Sequence, residues 1–291
     1  MASENLRGSL WMVASMAGFA VEDAFLKSAS AHLPVGEVMI ALGVLGILVF
    51  GALTLHAGQP MFPAAIVSRT MVIRSAFEVV GRLFYALAIA LTPISVASAI
   101  LQASPLVVVL GAALVFGERV GALRWVVIGL GFIGVLIILR PGMAGFDVLS
   151  LLAVTGLIGF AGRDLATRAA PPALSNAQLG VAGFTMLGLA GVIILGFTGG
   201  AVIPPVPVVA MVAGASVFGI GGYAALTKAM RTGEVSAVTP FRYSRLLFAM
   251  ILGVLAFGER PDVATLAGSA IIVGCGLIIL TQRRRLTSHL A

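Results

Sequence analysis

The 291-residue chain has few charged side chains, few aromatic side chains and almost no cysteine. Asp, Glu, Lys and Arg make up 10% of the sequence, aromatic residues make up 7%, and Cys275 is the single cysteine. One cysteine excludes an internal disulfide and a cysteine-based metal site. His32, His56 and His289 are far apart in the sequence and offer no ligand cluster. We therefore predict no bound metal ion and no other cofactor.

Catalytic motifs are also missing. The chain has no paired-carboxylate motif, no metal-ligand spacing, and no nucleophile with a base close to it in the sequence. A membrane enzyme that acts on lipid would need such groups. The sequence thus argues against an enzyme and predicts no catalytic residue.

Apolar residues are abundant and make up 60% of the chain. A soluble domain of this length has too small an interior to bury them, so most of the chain must be dissolved in lipid. The net charge of +7 could indicate a nucleic-acid partner. However, the basic residues stand singly between apolar runs without interleaved aromatics, which favours a membrane protein. The first apolar run is too long for a signal-peptide core and is predicted to be the first span.

Ten apolar runs are long enough to cross a bilayer, which takes ~20 residues in a helix. They are rich in Leu, Ala and Gly and show no period-2 alternation, so they predict helices rather than strands. The predicted fold is an all-α integral membrane protein with ten transmembrane helices. The spans, numbered 1 to 10 here, are 10–29, 36–55, 71–91, 94–115, 121–139, 148–167, 177–197, 208–229, 235–256 and 263–281.

The basic residues between the spans predict the orientation of the chain. The connections on the side of the N-terminus hold most of them, which places both termini in the cytoplasm of a bacterial cell, with the spans in its inner membrane. The other side holds Lys27, Arg140 and Arg260. On the cytoplasmic side lie Arg7, Arg69, Arg119, Arg124, Arg168, Lys228, Arg231, Arg283, Arg284 and Arg285.

The sequence repeats itself at an offset of 141 residues. The phrase "FGER" occurs at 116–119 and at 257–260, and 257 − 116 is 141. At the same offset "GFAVEDAFLKSA" at 18–29 aligns without a gap on "GFAGRDLATRAA" at 159–170. The chain therefore consists of two copies of one unit.

Each copy contains five spans. Because five is odd, the second copy enters the membrane from the opposite side, which gives an inverted repeat of the kind found in secondary transporters. We predict a first five-helix repeat at 1–140, a second, inverted one at 142–281, and a basic cytoplasmic tail at 282–291.

These features resemble a known family. Each half contains an apolar helix ending in "GER" before a Gly-rich helix, as in the EamA-type branch of the drug/metabolite transporter superfamily. The most specific stretch is "SPLVVVLGAALVFGERVGALRWVVIGLGFIGVLIIL" at 104–139, and the likeness covers essentially the whole chain. The second half departs from it, since Leu246 matches Pro105 and Pro240 lies six residues earlier. Length and sparse polar interior are similar to those of bacterial YddG-type aromatic amino-acid exporters. The resemblance implies a carrier for small metabolites.

The "FGER" phrase itself is read mainly as structural. Gly117 and Gly258 can adopt the left-handed conformation that ends a helix. Glu118 and Glu259 would then face the positive N-terminus of the next helix. The alternative, direct contact with the substrate, would require both copies at one site, whereas an inverted repeat places them at opposite faces.

Span 3 contains charges at membrane depth. Arg74, Glu78, Arg82 and Tyr85 lie on one helical face. Charges inside a membrane face protein or water rather than lipid, so they either form a neutralised structural pair, Glu78 with Arg82, or line a substrate cavity. Both interpretations stay open. Glu78 is also the first candidate for a proton-carrying carboxylate, since the matching position is Gly219.

Spans 4 and 9 each contain a proline that removes a backbone hydrogen bond. Pro105 frees the Leu101 carbonyl and predicts a kink beside Gln102 and Ser104; Pro240 precedes a crowded group of basic and aromatic residues. That group either binds a zwitterionic substrate or sends its arginines to the interface. We predict the substrate site at the midplane between spans 3, 4, 8 and 9. Its predicted residues are Glu78, Arg82, Tyr85, Gln102, Tyr223, Phe241, Arg242, Tyr243 and Arg245.

Spans 1 and 6 repeat a charge pattern. Asp23 and Lys27, and at the matching positions Asp164 and Arg168, are i,i+4 pairs with the acid first. Because they recur in both halves and end at opposite faces, we predict that they gate the two sides. Static interfacial ion pairs are the alternative.

Together these patterns predict a secondary transporter that exports small metabolites, most simply neutral or aromatic amino acids, by alternating access. The partners would be the solute, the lipid bilayer and a coupling proton, with a monomeric carrier and no nucleic acid. The main alternative is a multidrug exporter that binds cations through Glu22, Asp23 or Glu78.

Overall fold

The computed structural model describes residues 2–116, 122–140, 147–232 and 238–288, and within these ranges every regular element is a helix. Two short 3-10 helices, Ala64–Val67 and Thr239–Tyr243, accompany the α-helices. The α-helices are α1 Ala2–Ser30, α2 Val35–His56, α3 Arg69–Leu91, α4 Ile94–Leu101, α5 Ser104–Phe116, α6 Ala122–Leu139, α7 Ser150–Arg168, α8 Asn176–Thr198, α9 Val206–Arg231, α10 Ser244–Phe257 and α11 Val263–Ser288.

The helices coincide with the ten predicted spans. By length and composition, four of the described helices could cross a membrane, namely Leu6–Ser30, Val35–His56, Asn176–Thr198 and Val206–Arg231. Shorter apolar helical stretches lie at Ile94–Val108, Gly129–Ile138 and Val263–Cys275. The predicted all-α membrane fold is therefore confirmed.

Two spans are interrupted near their prolines. Span 4 is divided into α4, which ends at Leu101, and α5, which begins at Ser104. This break lies where Pro105 removes a backbone donor. In the described part of span 9, the 3-10 helix Thr239–Tyr243 precedes α10. Gln102 lies at the first break and Arg242 in the second, so both polar side chains start from irregular backbone.

Helices of the first half pack against helices of the second half. The most extensive pairs are α1 with α9, α2 with α8, and α3 with α7. A Cβ atom on Gly18 would lie 3.1 Å from Gly222 Cα, and one on Gly159 would lie 2.6 Å from Gly81 Cα. The offset of 141 carries Gly18 onto Gly159 and Gly81 onto Gly222, so this close crossing, which only glycine permits, is made twice.

The second "FGER" phrase ends α10 as predicted, because Gly258 has a φ of +62° and adopts the left-handed conformation. The predicted position of its glutamate, facing the N-terminus of the next helix, is wrong. Glu259 does not face the next helix; it caps α4, where Oε1 accepts from Ile94 N–H at 2.8 Å and Oε2 from Ser95 N–H at 3.1 Å. Gly117 and Glu118 lie outside the described residues.

The next helix, α11, takes its cap from Asp262. The Asp262 carboxylate accepts from Thr265 N–H at 2.8 Å and also pairs with Arg140. The Thr265 amide, and after it the Arg140 guanidinium, hold the pKa of the exposed Asp262 carboxyl below its usual range. With its own cap supplied, α11 leaves Glu259 free to cross to the other repeat.

Candidate substrate-binding site

A small cavity lies at the centre of the bundle, where both repeats contribute charged side chains. Its volume is about 70 Å³, and α1, α3 and α7 surround it together with the two broken spans. Apolar side chains such as Phe19, Phe160 and Leu226 form part of the wall. The larger polar groups of the wall are Glu22, Asp23, Arg82, Tyr85, Gln102, Arg163, Asp164, Arg242 and Arg245.

On one side of the cavity, α1 is joined to α10. Arg245 Nη2 donates to Asp23 Oδ2 at 2.6 Å, and the Tyr85 hydroxyl donates to the same oxygen at 3.3 Å. The Arg245 guanidinium carbon also lies 5.2 Å from the Phe19 ring centroid and 5.3 Å from that of Tyr85. Arg245 Nε makes no hydrogen bond to the described protein. This arginine therefore keeps one donor for another acceptor.

On the other side, α7 is joined to the 3-10 helix Thr239–Tyr243. Arg242 Nη1 donates to Asp164 Oδ2 at 2.5 Å, and Arg163 Nε donates to Asp164 Oδ1 at 3.0 Å. Asp164 matches Asp23 in the repeat. Each aspartate thus holds an arginine of the second broken span, although the two arginines come from different turns of it.

Glu78 is buried behind the cavity among three arginines. Its Oε1 accepts from Arg163 Nη1 at 3.1 Å and from Arg82 Nε at 3.3 Å, and its Oε2 lies 3.2 Å from Arg74 Nη2. Its side chain is 0% exposed. The predicted Glu78–Arg82 pair is present, and the structure adds two further cations. Glu78 is therefore a counter-ion for three charges rather than a free carboxylate.

Glu22 has much less charge compensation. Arg82 Nη1 lies 3.7 Å from Glu22 Oε1, and this arginine also serves Glu78. The Glu22 carboxyl lies against Gly219, where an added Cβ would approach its carbon to 2.7 Å. Gly219 is the repeat partner of Glu78. The halves thus differ here, because the glycine in the second half leaves room for a carboxylate from α1.

The structure brings five of the nine predicted substrate-site residues together around the cavity: Arg82, Tyr85, Gln102, Arg242 and Arg245. In the amide orientation that satisfies both of its groups, Gln102 donates to the Arg242 carbonyl at 3.3 Å and accepts from Leu246 N–H at 2.8 Å. Gln102 thus ties α4 to the irregular start of span 9, which holds Arg242 in place.

The other four predicted residues lie elsewhere. Glu78 is buried behind the cavity wall. Tyr223 lies nearer to one membrane face, and its hydroxyl accepts from Arg74 Nη2 at 2.7 Å. Tyr243 is buried but outside the lining. Phe241 is 38% exposed and also outside the lining. Phe241 and Tyr243 were predicted from their closeness in sequence to Arg242, but the 3-10 helix at 239–243 has fewer residues per turn than an α-helix and directs neighbouring side chains apart.

Both Glu22 and Arg163 line the cavity, although the sequence assigns Glu22 only to the alternative cation site and Arg163 to no site. Their depth in spans 1 and 6 was the available signal, since an intramembrane charge is by itself a functional candidate.

The predicted i,i+4 pair of Asp23 with Lys27 is wrong. Asp23 binds Arg245, as described above, whereas Lys27 Nζ donates to the Thr92 carbonyl at 2.7 Å and lies 3.8 Å from Glu259 Oε1. Tertiary partners replace the helical neighbour because both side chains point into contacts with other helices. In the second half Asp164 likewise binds Arg163 and Arg242, and the side chain of Arg168 lies outside the description.

A second, larger cavity adjoins the first one. Its volume is about 440 Å³, and we call it the vestibule. Arg163, Asp164 and Arg242 line both cavities and therefore stand between them. Its other polar lining residues are Arg74, Thr167, Tyr223, Thr227 and Arg231.

The vestibule lies towards the face that holds the N-terminus. It is lined by the last turns of α7 and α9, and a Cβ on Gly8 near the start of α1 would meet the carbonyl of Thr232 just after α9. The opposite face carries Lys27, Thr92 and Glu259, whose contacts join α1, α4 and the turn after α10. The bundle therefore has a cavity near the face of the N-terminus, whereas side-chain contacts join the helices at the opposite face.

Among the described residues no group of three or more His, Cys, Asp or Glu side chains could hold a metal ion. Ion pairs between carboxylates and guanidinium groups surround the cavity inside the helical bundle. Such an arrangement defines a multi-pass transporter of small molecules, with a polar path lined by paired charges.

The chain belongs to the EamA-like transporter family, whose model matches residues 6–140 and 146–281. The resemblance to drug/metabolite transporters is thereby confirmed, as is the prediction of a transporter rather than an enzyme. The two matched segments correspond to two tandem repeats.

Curated relatives are transporters with different solutes. The chain is 28% identical over 278 residues to a riboflavin transporter of Vibrio cholerae, covering 92% of this chain and 91% of that protein. It is 26% identical to a pseudopaline exporter of Pseudomonas aeruginosa, covering 91% and 93%. It is 23% identical to an S-adenosylmethionine uptake transporter of Rickettsia prowazekii, covering 96% and 94%.

Two further similarities have narrower meaning. The match to a riboflavin transporter of Rhizobium johnstonii, at 27% identity, covers 68% of this chain but only 65% of that protein, slightly under two thirds of its length. A solved crystal structure of a protein aligns with 98% of this chain and 99% of its own, with a TM-score of 0.64 at 20% identity. That likeness shows the fold alone.

Proposed function

We propose that this protein exports small amino-acid-like metabolites across the bacterial inner membrane by alternating access. The observation that carries the proposal is the central cavity, in which acidic and basic side chains face one another beside aromatic rings. A neutral amino acid presents the same three features, namely a carboxylate, an ammonium group and an apolar side chain. We include aromatic amino acids because Phe19, Phe160 and Tyr85 border the cavity.

The cavity has a group for each part of such a solute. Arg245 has an unused Nε donor for the carboxylate, and a guanidinium binds a carboxylate through charge-assisted hydrogen bonds. Glu22, on the same helix as Asp23, is the least compensated acid and would receive the ammonium group. Phe160, which lies 5.9 Å by ring centroid from the Arg82 guanidinium, gives the apolar wall.

The size of the cavity supports a conformational cycle. About 70 Å³ holds roughly five water molecules and is far below the ~300 Å³ of ordinary ligand pockets. A solute therefore requires the helices to separate. We take the vestibule as the place where the helices are already apart, which supports a state open towards the face of the N-terminus and closed on the other face.

Gating follows from the two sets of contacts. The Asp164–Arg242 pair with Arg163 separates the vestibule from the centre, and the bridge of Lys27 and Glu259 closes the opposite face. We propose that these two closures open in alternation. Two other residues were predicted to gate the path. Asp23 binds Arg245, and we therefore assign it to the central cavity rather than to a gate. Arg168 stays a predicted gating residue, because it follows Thr167 of the vestibule lining by one position in the sequence.

The same proposal includes cytoplasmic termini, a monomeric carrier and coupling to a proton. Charge balance makes Glu22, rather than Glu78, the carboxylate to carry that proton. Neutralising Glu78 would leave three buried arginines without their shared counter-ion, whereas neutralising Glu22 affects only Arg82, which keeps Glu78.

The second candidate function is export of cationic compounds. The observation in its favour is again Glu22, a buried acid whose one salt-bridge partner among the described residues, Arg82, lies 3.7 Å away, beyond hydrogen-bonding distance. A cationic solute could occupy this acid without any contact to Arg245. The carboxylate of the solute is therefore what distinguishes the two candidates.

Counterflow in reconstituted vesicles tests the proposal. Vesicles loaded with one neutral amino acid should accumulate its labelled form, and a panel of amino acids should compete, whereas their amides and quaternary ammonium compounds should not. Arg69→Gln, at the exposed start of α3, is the control variant. Competition by the ammonium compounds alone would refute amino-acid export and support the cationic alternative.

A further inference from the structure

The vestibule carries more positive charge than its acids can balance. Among the described residues, four arginines line it, namely Arg74, Arg163, Arg231 and Arg242, and Asp164 is the one acid in that lining. Glu78 contacts Arg74 and Arg163 from behind. Within the part of the chain that the structure describes, these four guanidinium groups face two carboxylates, which is an excess of two positive charges.

Two of these arginines retain unused binding capacity. Arg74 is 2% exposed; its Nε donates to Thr167 Oγ1 at 2.9 Å and its Nη2 to the Tyr223 hydroxyl at 2.7 Å, but its Nη1 has no hydrogen-bond partner. Arg231, at the exposed end of α9, donates to the Leu174 carbonyl at 2.7 Å, a neutral acceptor. An unpaired buried donor beside uncompensated cations is energetically costly unless an anion or water reaches it.

The described hydroxyl groups of the vestibule already use their donor hydrogens within the protein. Thr167 donates to the Arg163 carbonyl at 2.8 Å, Thr227 to the Tyr223 carbonyl at 2.9 Å, and Tyr223 to the Leu179 carbonyl at 3.1 Å. Among the described groups around the vestibule, the buried donor without a hydrogen-bond partner is Arg74 Nη1, and a guanidinium suits planar oxyanions.

We propose that the vestibule is a second binding site, which takes the carboxylate or phosphate group of an anionic solute before the solute reaches the central cavity. The oxyanion binds between Arg231 at the mouth and Arg74 in the wall. As it moves inward it reaches Arg242, where it competes with Asp164 for the same guanidinium. Replacement of Asp164 by the solute's own oxyanion would open the pair that separates the two cavities.

The order of binding, first in the vestibule and then in the central cavity, rests on the proposed export. Oxyanion binding itself can be measured without transport. The full chain in lipid nanodiscs is titrated with succinate and with glycerol 3-phosphate, and binding is followed by calorimetry and by the shift in melting temperature. Glycerol and sodium chloride at equal ionic strength are the ligand controls. Arg69→Gln is the matched control variant.

We expect both oxyanions, or one of them, to bind to the unmodified protein and to Arg69→Gln with equal affinity. Arg231→Gln should weaken that binding roughly ten-fold, since one charge-assisted contact is lost. Arg74→Lys keeps the charge but loses the planar fork and should weaken binding as well. Arg231 is exposed, so its variant keeps the proposal testable even if Arg74→Lys fails to fold.

The panel separates the possible ligands and the two proposals. Preference for glycerol 3-phosphate assigns a phosphate-bearing solute, and preference for succinate assigns a carboxylate. A response to chloride alone, or oxyanion binding unaffected by Arg231→Gln and Arg74→Lys, would overturn the second site. Amino-acid counterflow that fails while oxyanion binding persists would reject the proposed function and leave the vestibule site standing.

Discussion

Asp23 and Arg245 are 222 positions apart in the sequence, yet Asp23 Oδ2 and Arg245 Nη2 are 2.6 Å apart at the centre of the bundle. The pair joins the first helix to the second broken span. It therefore connects the two repeats at the cavity where we propose that the solute binds, so both side chains are candidates for a role in folding and in transport.

Replacing Arg245 alone or together with its partner separates these two roles. Arg245→Gln leaves Asp23 with only the Tyr85 hydroxyl, and removal of one member of a buried pair costs about 3–5 kcal/mol of stability. The double variant Asp23→Asn, Arg245→Gln should recover most of the melting temperature. Its affinity for an amino acid should still fall roughly ten- to a hundred-fold, because the contact to the solute carboxylate is lost. Unchanged affinity in the folded double variant would place the carboxylate elsewhere.

Glu78 and Glu22 should respond differently to the same substitution. Glu78→Gln removes the shared counter-ion of three arginines and should lower the melting temperature strongly, whereas Glu22→Gln should leave the fold intact. Transport by Glu22→Gln should no longer respond to a pH gradient. Melting curves and uptake at several external pH values measure both effects. A pH response that persists in folded Glu22→Gln protein would contradict its role as proton carrier.

The crossing of α3 and α7 should not tolerate a methyl group. Gly159→Ala would place a Cβ 2.6 Å from Gly81 Cα, and overpacking of this kind costs about 1–3 kcal/mol. Gly129→Ala is the matched control, since a Cβ there meets nothing within 4 Å. The control should keep or slightly raise the melting temperature because alanine favours a helix. Equal effects of both substitutions would show that the crossing is looser than described.

The cap that Glu259 places on α4 should hold one face closed. Glu259→Gln weakens the hydrogen bonds to Ile94 and Ser95 and removes the charge near Lys27, so the face around Thr92 should open more often. Thr92→Cys, with Cys275 replaced by Ala, should then react faster with a membrane-impermeant thiol reagent added on that side. Glu37→Gln, on the same face but at the start of α2, is the control. An unchanged labelling rate would exclude a closing role for Glu259.

Topology reporters can check the orientation and the division of the chain. A fusion after Ala291 should report the cytoplasm, in keeping with the predicted basic tail at 282–291. A fusion after Arg140, following five spans, should report the periplasm if the repeats are 1–140 and 142–281 in opposite orientation. Enzymatic reporters active on only one side of the membrane measure this. The same location for both fusions would contradict the inverted arrangement.

The helical membrane fold could be predicted from the sequence alone, because the requirement that a span be apolar applies to each stretch of sequence separately. A helix that lies in lipid needs about twenty apolar residues, so each span is visible in its own stretch of sequence. The breaks could be read from Pro105 and Pro240, which remove a backbone donor wherever they stand. The 141-residue offset pairs Gly18 with Gly159 and Gly81 with Gly222 in the sequence, but the structure was needed to show that Gly18 crosses Gly222 and that Gly159 crosses Gly81.

The partners of the charged residues were decided only by the tertiary structure. Lys27 is the helical neighbour of Asp23, yet Asp23 binds Arg245, and Glu259 caps α4 rather than the helix that follows it. An i,i+4 ion pair contributes only ~0.5 kcal/mol or less, so the helix crossing that places a guanidinium 2.6 Å from Asp23 determines the partner. Local spacing shows which charges lie in the membrane; only the packing of the two repeats shows which of them meet.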